Sequence, residues 1–135
     1  MIRLEVIDEE YLAHVDFLYQ LLKERKPYQA ISHKEMPTFE QHWEFIKSKP
    51  YKAWYIIATE SYEFVGATYL THQNEIGIFI LERFCGLGYG QEGVQMLMAR
   101  FPGPFLANIN PSNMRSQEFF KALGFTELQV TYSHE

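Results

Sequence analysis

The spacing of apolar residues changes along this chain, and the change narrows the folds that the chain can adopt. Residues 11–22 and 39–46, on either side of a polar linker, carry apolar and aromatic side chains at helical intervals. Residues 51–81 instead form three short runs rich in β-branched and aromatic side chains, separated by polar turns. Beyond residue 81, breaks rich in glycine or proline separate further strand-like and helical segments. This succession favours a sheet packed against helices over a bundle of helices.

Composition limits the class of protein. The 135 residues suffice for one domain, residues 1–135, with one hydrophobic core. Hydrophobic residues make up 47% and charged residues 21%, which excludes intrinsic disorder. The formal net charge of −5 argues against a nucleic-acid partner. Because Cys85 is the single cysteine and no segment looks like a signal peptide or a membrane span, we expect a cytoplasmic protein with no membrane partner.

The pattern predicts a mixed α/β fold, with a centrally antiparallel sheet flanked by helices, in the order β-α-α-β-β-β-α-β-α-β. Asp8 is expected to cap the first helix, which Pro27 ends, and Thr38 with Gln41 is expected to form a capping box at the second. A crossover helix joins the fourth and fifth strands, which makes that pair parallel. The predicted strands span residues 2–7, 51–59, 64–71, 75–81, 105–109 and 125–132, and the last two helices span residues 91–101 and 113–123.

Residues 83–90, here called the glycine loop, read Arg-Phe-Cys-Gly-Leu-Gly-Tyr-Gly between a predicted strand and a predicted helix. Glycines at positions 86, 88 and 90 allow successive backbone N–H groups to turn toward one point. The N-terminus of the following helix adds free N–H groups and the positive end of its dipole. This arrangement suits a pyrophosphate, and the alternative is a tight turn without a ligand.

Two other phosphate-binding motifs fit the glycine loop less well. Residues 88–93 match the G-x-G-x-x-G pattern of dinucleotide-binding folds. That fold places an acidic residue about 20 positions later, where this chain has Asn108 and Asn110. A P-loop requires Gly-Lys followed by Ser or Thr, which the glycine loop lacks.

The loop resembles the cofactor motif of the GNAT acetyltransferase family, Gln/Arg-x-x-Gly-x-Gly/Ala. Two overlapping registers fit, Arg83-x-x-Gly86-x-Gly88 and Cys85-x-x-Gly88-x-Gly90, and the spacing to the helix favours the second. A second block is similar to the closing signature of that family, Asn113-x-x-Ser116-x-x-Phe119-Phe120-x-x-x-Gly124-Phe125. The separation of the two blocks and the order of the elements fit the family fold as well.

The resemblance implies acetyl-CoA as a co-substrate, with no metal. Backbone amides of the glycine loop are expected to take its pyrophosphate, and strands 75–81 and 105–109 are expected to splay apart around its pantetheine arm. Asn113 is expected to face that arm. The implied cofactor-binding residues are Ile80, Leu81, Cys85, Gly86, Leu87, Gly88, Tyr89, Gly90, Asn113, Ser116 and Phe119.

The resemblance also guides the search for catalytic residues. Glu75 begins the strand before the loop, where some family members carry a catalytic glutamate, and is the first candidate for the base that deprotonates the amine. The alternative is a surface glutamate beside a turn. His72, close by, is the second candidate, because histidine is the residue type most suited to exchange a proton near neutral pH. The alternative for His72 is a solvated histidine on a turn. The tyrosine that often protonates the CoA thiolate in this family falls on Phe120, which leaves water or another hydroxyl such as Tyr132 for that role.

The acceptor is less constrained than the cofactor. Residues 31–46 and 53–57 resemble, more loosely, family members that acetylate amino groups on sugar nucleotides. We therefore expect direct transfer to a primary amine of a polar small molecule, such as an amino sugar or its nucleotide conjugate. A protein lysine or N-terminal acetyltransferase and a non-catalytic acyl-CoA-binding module remain the alternatives, and a homodimer is one assembly that the sequence leaves open.

Overall fold

The computed structural model describes residues 1–25 and 35–134. The predicted helix end at Pro27 and the first part of the 31–46 stretch lie outside the described residues. The strands and helices follow one another as β1 (Ile2–Val6), α1 (Leu12–Glu24), α2 (Phe39–Lys47), β2 (Ala53–Thr59), β3 (Phe64–Leu70), β4 (Ile76–Ile80), α3 (Tyr89–Arg100) and α4 (Met114–Ala122), with a short 3₁₀ turn at Glu82–Phe84 between β4 and α3.

The four strands form one antiparallel sheet in the order β1-β2-β3-β4. Consecutive strands pair with each other, so that Leu4 lies opposite Ile57 and Ala67 lies opposite both Ile56 and Phe79. This is the arrangement expected of a meander with short turns. It leaves β4 at one side of the sheet, with its second edge facing the C-terminal third of the chain.

Helices cover both faces of the sheet. On one face, Val15 and Leu18 of α1 and Ile46 of α2 pack against Ile56 and neighbouring side chains. On the other face, the buried Val94 and Leu97 of α3 belong to a cluster with Tyr55, Leu70, Ile76 and Phe120. Alternate residues of each strand therefore serve different helices, as the two-residue period of a strand requires.

A glycine brings α3 close to the sheet. A Cβ atom at Gly93 would lie 2.6 Å from Cδ1 of Ile57, so a larger side chain there would push the helix away. The helix is also tied to β1, because the carboxylate of Glu92 accepts a hydrogen bond from the N–H of Ile2 at 3.0 Å. These contacts fix the position of the N-terminus of α3, which follows the glycine loop.

The mixed α/β fold and the first four strands are confirmed. The capping box of α2 is also confirmed, since Oγ1 of Thr38 accepts from the N–H of Gln41 at 3.1 Å and Oε1 of Gln41 accepts from the N–H of Thr38 at 2.9 Å. The cap at Asp8 is wrong. Its side chain accepts from the N–H of Glu10 at 3.0 Å in a local turn. The N-cap residue of α1 is instead Tyr11, three residues after Asp8, and the helix begins at Leu12.

The predicted strands at 105–109 and 125–132 are wrong as paired strands. Residues 105–109 contribute a single parallel bridge, between Leu106 and Glu75. Residues 125–132 have no strand partner among the described residues, and Val130 and Tyr132 are 61% and 91% exposed. An alternating pattern predicts an extended backbone, but a strand also needs a neighbour for its hydrogen bonds, which the pattern does not reveal.

Candidate active site

A cleft lies beside β4, along the edge that does not pair with β3. The N–H of Ile76 donates to the carbonyl of Leu106 at 2.7 Å, and the N–H of Leu106 donates to the carbonyl of Asn74 at 2.9 Å. The side-chain amide of Asn74 donates to the carbonyls of Pro102 and Pro104, both at 3.0 Å, and so anchors the incoming segment. Past this bridge no described residue pairs with the second edge of β4, here called the open edge.

The hydrogen-bond pattern decides which groups of β4 face the open edge. The N–H of Leu81 donates to Val65 at 2.9 Å and the carbonyl of Glu75 accepts from Thr71 at 2.9 Å, so the odd-numbered positions bond to β3. Because bonding alternates along an antiparallel pair, the backbone groups of Ile78 and Ile80 point to the open edge. Of the two predicted backbone partners for the pantetheine arm, Ile80 is therefore accessible and the N–H of Leu81 is already used.

The cleft has a volume of about 310 Å³ and lies between β4, the segment after Leu106 and one side of α4. Its walls combine aromatic rings, a carboxylate and amides, which suits a polar ligand with an apolar stem. The lining includes Tyr51, Tyr69, Glu75, Ile78, Phe79, Asn108, Asn113, Ser116 and Phe120.

The glycine loop begins within the 3₁₀ turn that follows β4 and ends in the first turn of α3. Gly86 and Gly88 have φ angles of +81° and +87°, values that other residues rarely adopt. Glu92 donates the first backbone hydrogen bond of the helix, to the carbonyl of Gly88 at 3.1 Å. Within the described residues, the amides from Gly86 to Gln91 donate to no backbone acceptor. A row of free N–H groups at a helix N-terminus is the arrangement that binds phosphate groups.

The helix start distinguishes the two registers of the loop motif. Gly88 is the N-cap residue of α3 and Gly90 is its second residue, buried where a Cβ atom would lie 3.3 Å from both Ile80 and Phe119. This geometry fits the register Cys85-x-x-Gly88-x-Gly90. Phe119 thus packs beneath the loop and does not line the cleft.

Cys85 lies at the base of the loop as a structural thiol. Its Sγ contacts the carbonyls of Leu81 at 3.6 Å and of Ile80 at 3.7 Å. Burial raises the pKa of the Cys85 thiol, which disfavours the reactive thiolate. Leu87, by contrast, is 62% exposed at the tip of the loop.

Asn113 lies at the far wall of the cleft and caps α4. Its side-chain oxygen accepts from the N–H of Ser116 at 3.1 Å, and its own N–H donates to the carbonyl of Asn110 at 2.8 Å. The residue is 7% exposed and lines the cleft together with Ser116. The same side chain therefore starts the helix and borders the space assigned to the pantetheine arm.

The two candidate bases have different surroundings. Glu75 lies in the cleft, where its carboxylate accepts from Oγ1 of Thr71 at 3.1 Å and from Nδ2 of Asn108 at 2.5 Å. These bonds hold the carboxylate in place. His72 is exposed on the turn between β3 and β4 and does not line the cleft. Tyr132, suggested as a source of the thiolate proton, lies on the exposed C-terminal segment, away from the cleft.

Two tyrosines that line the cleft, Tyr51 and Tyr69, are not among the predicted site residues. Tyr69 lies opposite Gly77, and a Cβ atom at Gly77 would be 2.0 Å from its ring, so the ring lies across β4. Tyr51 stacks on Tyr69 with ring centroids 4.0 Å apart and planes 5° apart. Burial, followed by the neighbouring phenol, raises the pKa of Tyr51, and burial raises that of Tyr69. A glycine inside a predicted strand was the available signal, because it often marks a close approach.

Comparison with protein families matches residues 4–126 to the acetyltransferase (GNAT) domain. The chain therefore belongs to that family. It is an acyltransferase that uses acetyl-CoA to acetylate an amine, as the sequence motifs had implied. A comparison with curated proteins finds no significant match.

Solved structures share the fold. A domain from Methanocaldococcus jannaschii aligns with a TM-score of 0.80 at 22% identity, over 97% of this chain and 92% of that one. A spermidine N-acetyltransferase mutant from Vibrio cholerae aligns with a TM-score of 0.73 at 12% identity, over 95% and 81%. A ribosomal L7/L12 α-N-protein acetyltransferase in complex with coenzyme A aligns with a TM-score of 0.75 at 21% identity, over 93% and 80%. Identities this low support the fold alone.

Two further features concern residues 1–25 and 35–134, the part of the chain that the structure describes. None of the helices there combines the length and the apolar character that a membrane crossing requires. In the same residues, no three His, Cys, Asp or Glu side chains lie together in a way that could hold a metal ion.

Proposed function

We propose that this acetyltransferase acts on the primary amine of a polar small molecule, such as an amino sugar or its nucleotide conjugate, by direct transfer while both substrates are bound. One observation carries the proposal: the cleft begins at the carboxylate of Glu75 and follows β4, which leads directly to the glycine loop. A strand rises about 3.3 Å per residue, so roughly 17 Å separate Glu75 from Ile80. That length suits a co-substrate with its reactive group at the end of an extended arm.

Acetyl-CoA lies with its pyrophosphate on the amides from Gly86 to Gln91. The predicted amide of Cys85 is not among them, because its N–H already donates to the carbonyl of Glu82 at 3.1 Å. The support for this placement is that no backbone acceptor among the described residues takes the amides from Gly86 onward. Its pantetheine arm follows the open edge, where Ile78 and Ile80 present backbone groups without a strand partner. Asn113 and Ser116 border the arm from the opposite side.

Glu75 serves as the general base. An alkyl ammonium group has a pKa near 10.4, so the amine must lose a proton before it can attack at neutral pH. The carboxylate of Glu75 lies in the cleft and is oriented by Thr71 and Asn108, which leaves it able to receive that proton directly or through one water. The neutral amine then attacks the thioester carbonyl, and the CoA thiolate departs.

The walls of the cleft support a small, polar acceptor. A volume of about 310 Å³ accommodates a compact molecule, and aromatic rings beside a carboxylate suit a cationic amine on a partly apolar frame. The solved relatives include one named for spermidine and one named for a ribosomal protein N-terminus, so this fold serves both acceptor classes. The oligomeric state and the cytoplasmic location stay predictions.

An acceptor screen tests the proposal. The purified protein is incubated with acetyl-CoA and a panel of amino sugars, nucleotide-linked amino sugars, polyamines, lysine peptides and peptides with free N-termini, and thiol release is followed. We expect turnover with a small polar amine. Turnover with the peptides alone would identify a protein acetyltransferase, and binding of acetyl-CoA without transfer to any amine would contradict the proposal.

The glycine loop yields a prediction with a matched control. Gly88→Ala and Gly124→Ala both place a side chain on a residue with positive φ, +87° and +93°, and each has open space for the Cβ atom. Each variant should therefore lose a similar stability, about 1–2 kcal/mol. Titration calorimetry should show that Gly88→Ala weakens acetyl-CoA binding, because the phosphate-facing backbone shifts, whereas Gly124→Ala binds normally. Equal affinity of the two variants for acetyl-CoA would show that the pyrophosphate does not bind to the glycine loop.

The base yields a second prediction. Glu75→Gln keeps the shape of the side chain and removes its basicity, so kcat should fall by about 10²–10⁴-fold with little change in acetyl-CoA affinity. The deficit should shrink as the pH approaches the pKa of the acceptor amine, since less deprotonation is then needed. Glu60→Gln, at an exposed turn, is the control and should match the wild type. Normal turnover of Glu75→Gln from pH 6 to pH 9 would exclude Glu75 as the base.

A further inference from the structure

The departing CoA thiolate meets no phenol on α4. Of the α4 residues that line the cleft, only Ser116 carries a hydroxyl, and an aliphatic hydroxyl is a much weaker acid than a phenol. Phe120 lines the cleft and is 4% exposed, but its ring carries no hydroxyl. Tyr132 is 91% exposed on the C-terminal segment. Among the described residues that line the cleft, the phenols, which are the more acidic hydroxyls, are those of Tyr51 and Tyr69.

Tyr69 reaches the cleft because of the glycine opposite it. The two residues are direct cross-strand partners, Tyr69 on β3 and Gly77 on β4. A Cβ atom at Gly77 would lie 2.0 Å from Cζ and 2.5 Å from the hydroxyl oxygen of Tyr69. The phenol end of the ring therefore lies over the backbone of β4, beside the open edge, where any other residue at position 77 would displace it.

The surrounding aromatic rings hold Tyr69 in place. Tyr51 stacks on it, and Trp54 meets Tyr51 edge-on at 4.8 Å with an interplanar angle of 80°. The charged groups that act on Tyr69 are the carboxylate of Glu75 and the guanidinium of Arg25.

The protonation state of Tyr69 fits a donor. Burial is the main cause that raises the pKa of its phenol, and the carboxylate of Glu75 raises it further, while the neighbouring Tyr51 hydroxyl and the guanidinium of Arg25 lower it. The hydroxyl therefore carries its proton throughout the neutral range.

We propose that the Tyr69 hydroxyl donates the proton that the CoA thiolate takes up as it leaves, in place of a phenol on α4. This inference rests on the proposed function, because it assigns a role within the same cleft. It makes Tyr69 a catalytic residue and Tyr51 a positioning residue.

The proton balance closes within the cleft. The amine nitrogen bonds to the carbonyl carbon, the C–S bond breaks, and its electron pair stays on sulfur. Sulfur takes the phenolic proton of Tyr69. The nitrogen loses two protons in all: Glu75 accepts the first and returns it to the Tyr69 oxygen, and the second passes to solvent as the tetrahedral adduct collapses.

The test removes the hydroxyl and then restores one elsewhere. Tyr69→Phe keeps the ring and its stacking, and kcat should fall by about 10²–10⁴-fold with acetyl-CoA affinity unchanged. The double variant Tyr69→Phe with Phe120→Tyr places a hydroxyl on the opposite wall and should recover at least tenfold of that loss. Tyr55→Phe is the matched control, since Tyr55 is buried in the α3 cluster outside the cleft, and it should turn over like the wild type.

A second readout needs no acceptor. Free CoA is bound to each variant, and ionisation of its thiol is followed by thiolate absorbance as the pH is raised. A hydroxyl that donates to the thiolate should lower the thiol pKa in the wild type by about one unit relative to Tyr69→Phe, a tenfold change in ionisation. A residue that only shapes the cleft would leave the thiol pKa unchanged.

The possible outcomes distinguish the role of Tyr69 from the proposed acetyltransferase function. Normal turnover of Tyr69→Phe would overturn the role of Tyr69 and leave the acetyltransferase proposal intact. A slow Tyr69→Phe variant with neither rescue by Phe120→Tyr nor a shifted thiol pKa would assign Tyr69 a structural role and overturn the inference equally. Failure of the wild type to bind CoA at all would instead contradict the proposed function.

Discussion

The parallel bridge between Glu75 and Leu106 joins the two walls of the cleft at one end and leaves them apart beyond it. Its two hydrogen bonds, at 2.7 and 2.9 Å, involve only the first residue of β4 and the turn before it. If the pairing continued, the backbone groups of Ile78 and Ile80 would be used by a neighbouring strand. Because it stops, those groups are free to meet a ligand, and the carboxylate of Glu75 stands at the closed end of the cleft.

The backbone around the cleft contributes as much as the side chains. Positive φ angles at Gly86 and Gly88 leave the N–H groups before α3 free, and the missing side chain of Gly77 lets the Tyr69 ring lie across β4. Asn113 combines both kinds of role, since it caps α4 and borders the cleft. The absence of a side chain at Gly77 thus makes room for a ring in the cleft, and the side chain of Asn113 caps the helix that borders it.

The parts of this structure that depend on neighbouring residues were predictable from the sequence. The antiparallel meander, the capping box at Thr38 and the glycine loop all arise from local patterns. The parts that depend on distant partners were not. Residues 105–109 look like a strand, but their pairing is limited to one bridge, and the stacking of Tyr51 on Tyr69 depends on a register that no local pattern encodes.

A crystal structure of the protein with acetyl-CoA tests the central claim, that the open edge of β4 and the glycine loop form one acetyl-CoA site. We expect the pyrophosphate oxygens within about 3 Å of the free amides between Gly86 and Gln91. We also expect the pantetheine arm alongside Ile78 and Ile80, with the thioester toward Glu75. A pyrophosphate bound elsewhere, or residues 105–109 paired continuously with β4 in the complex, would contradict the account.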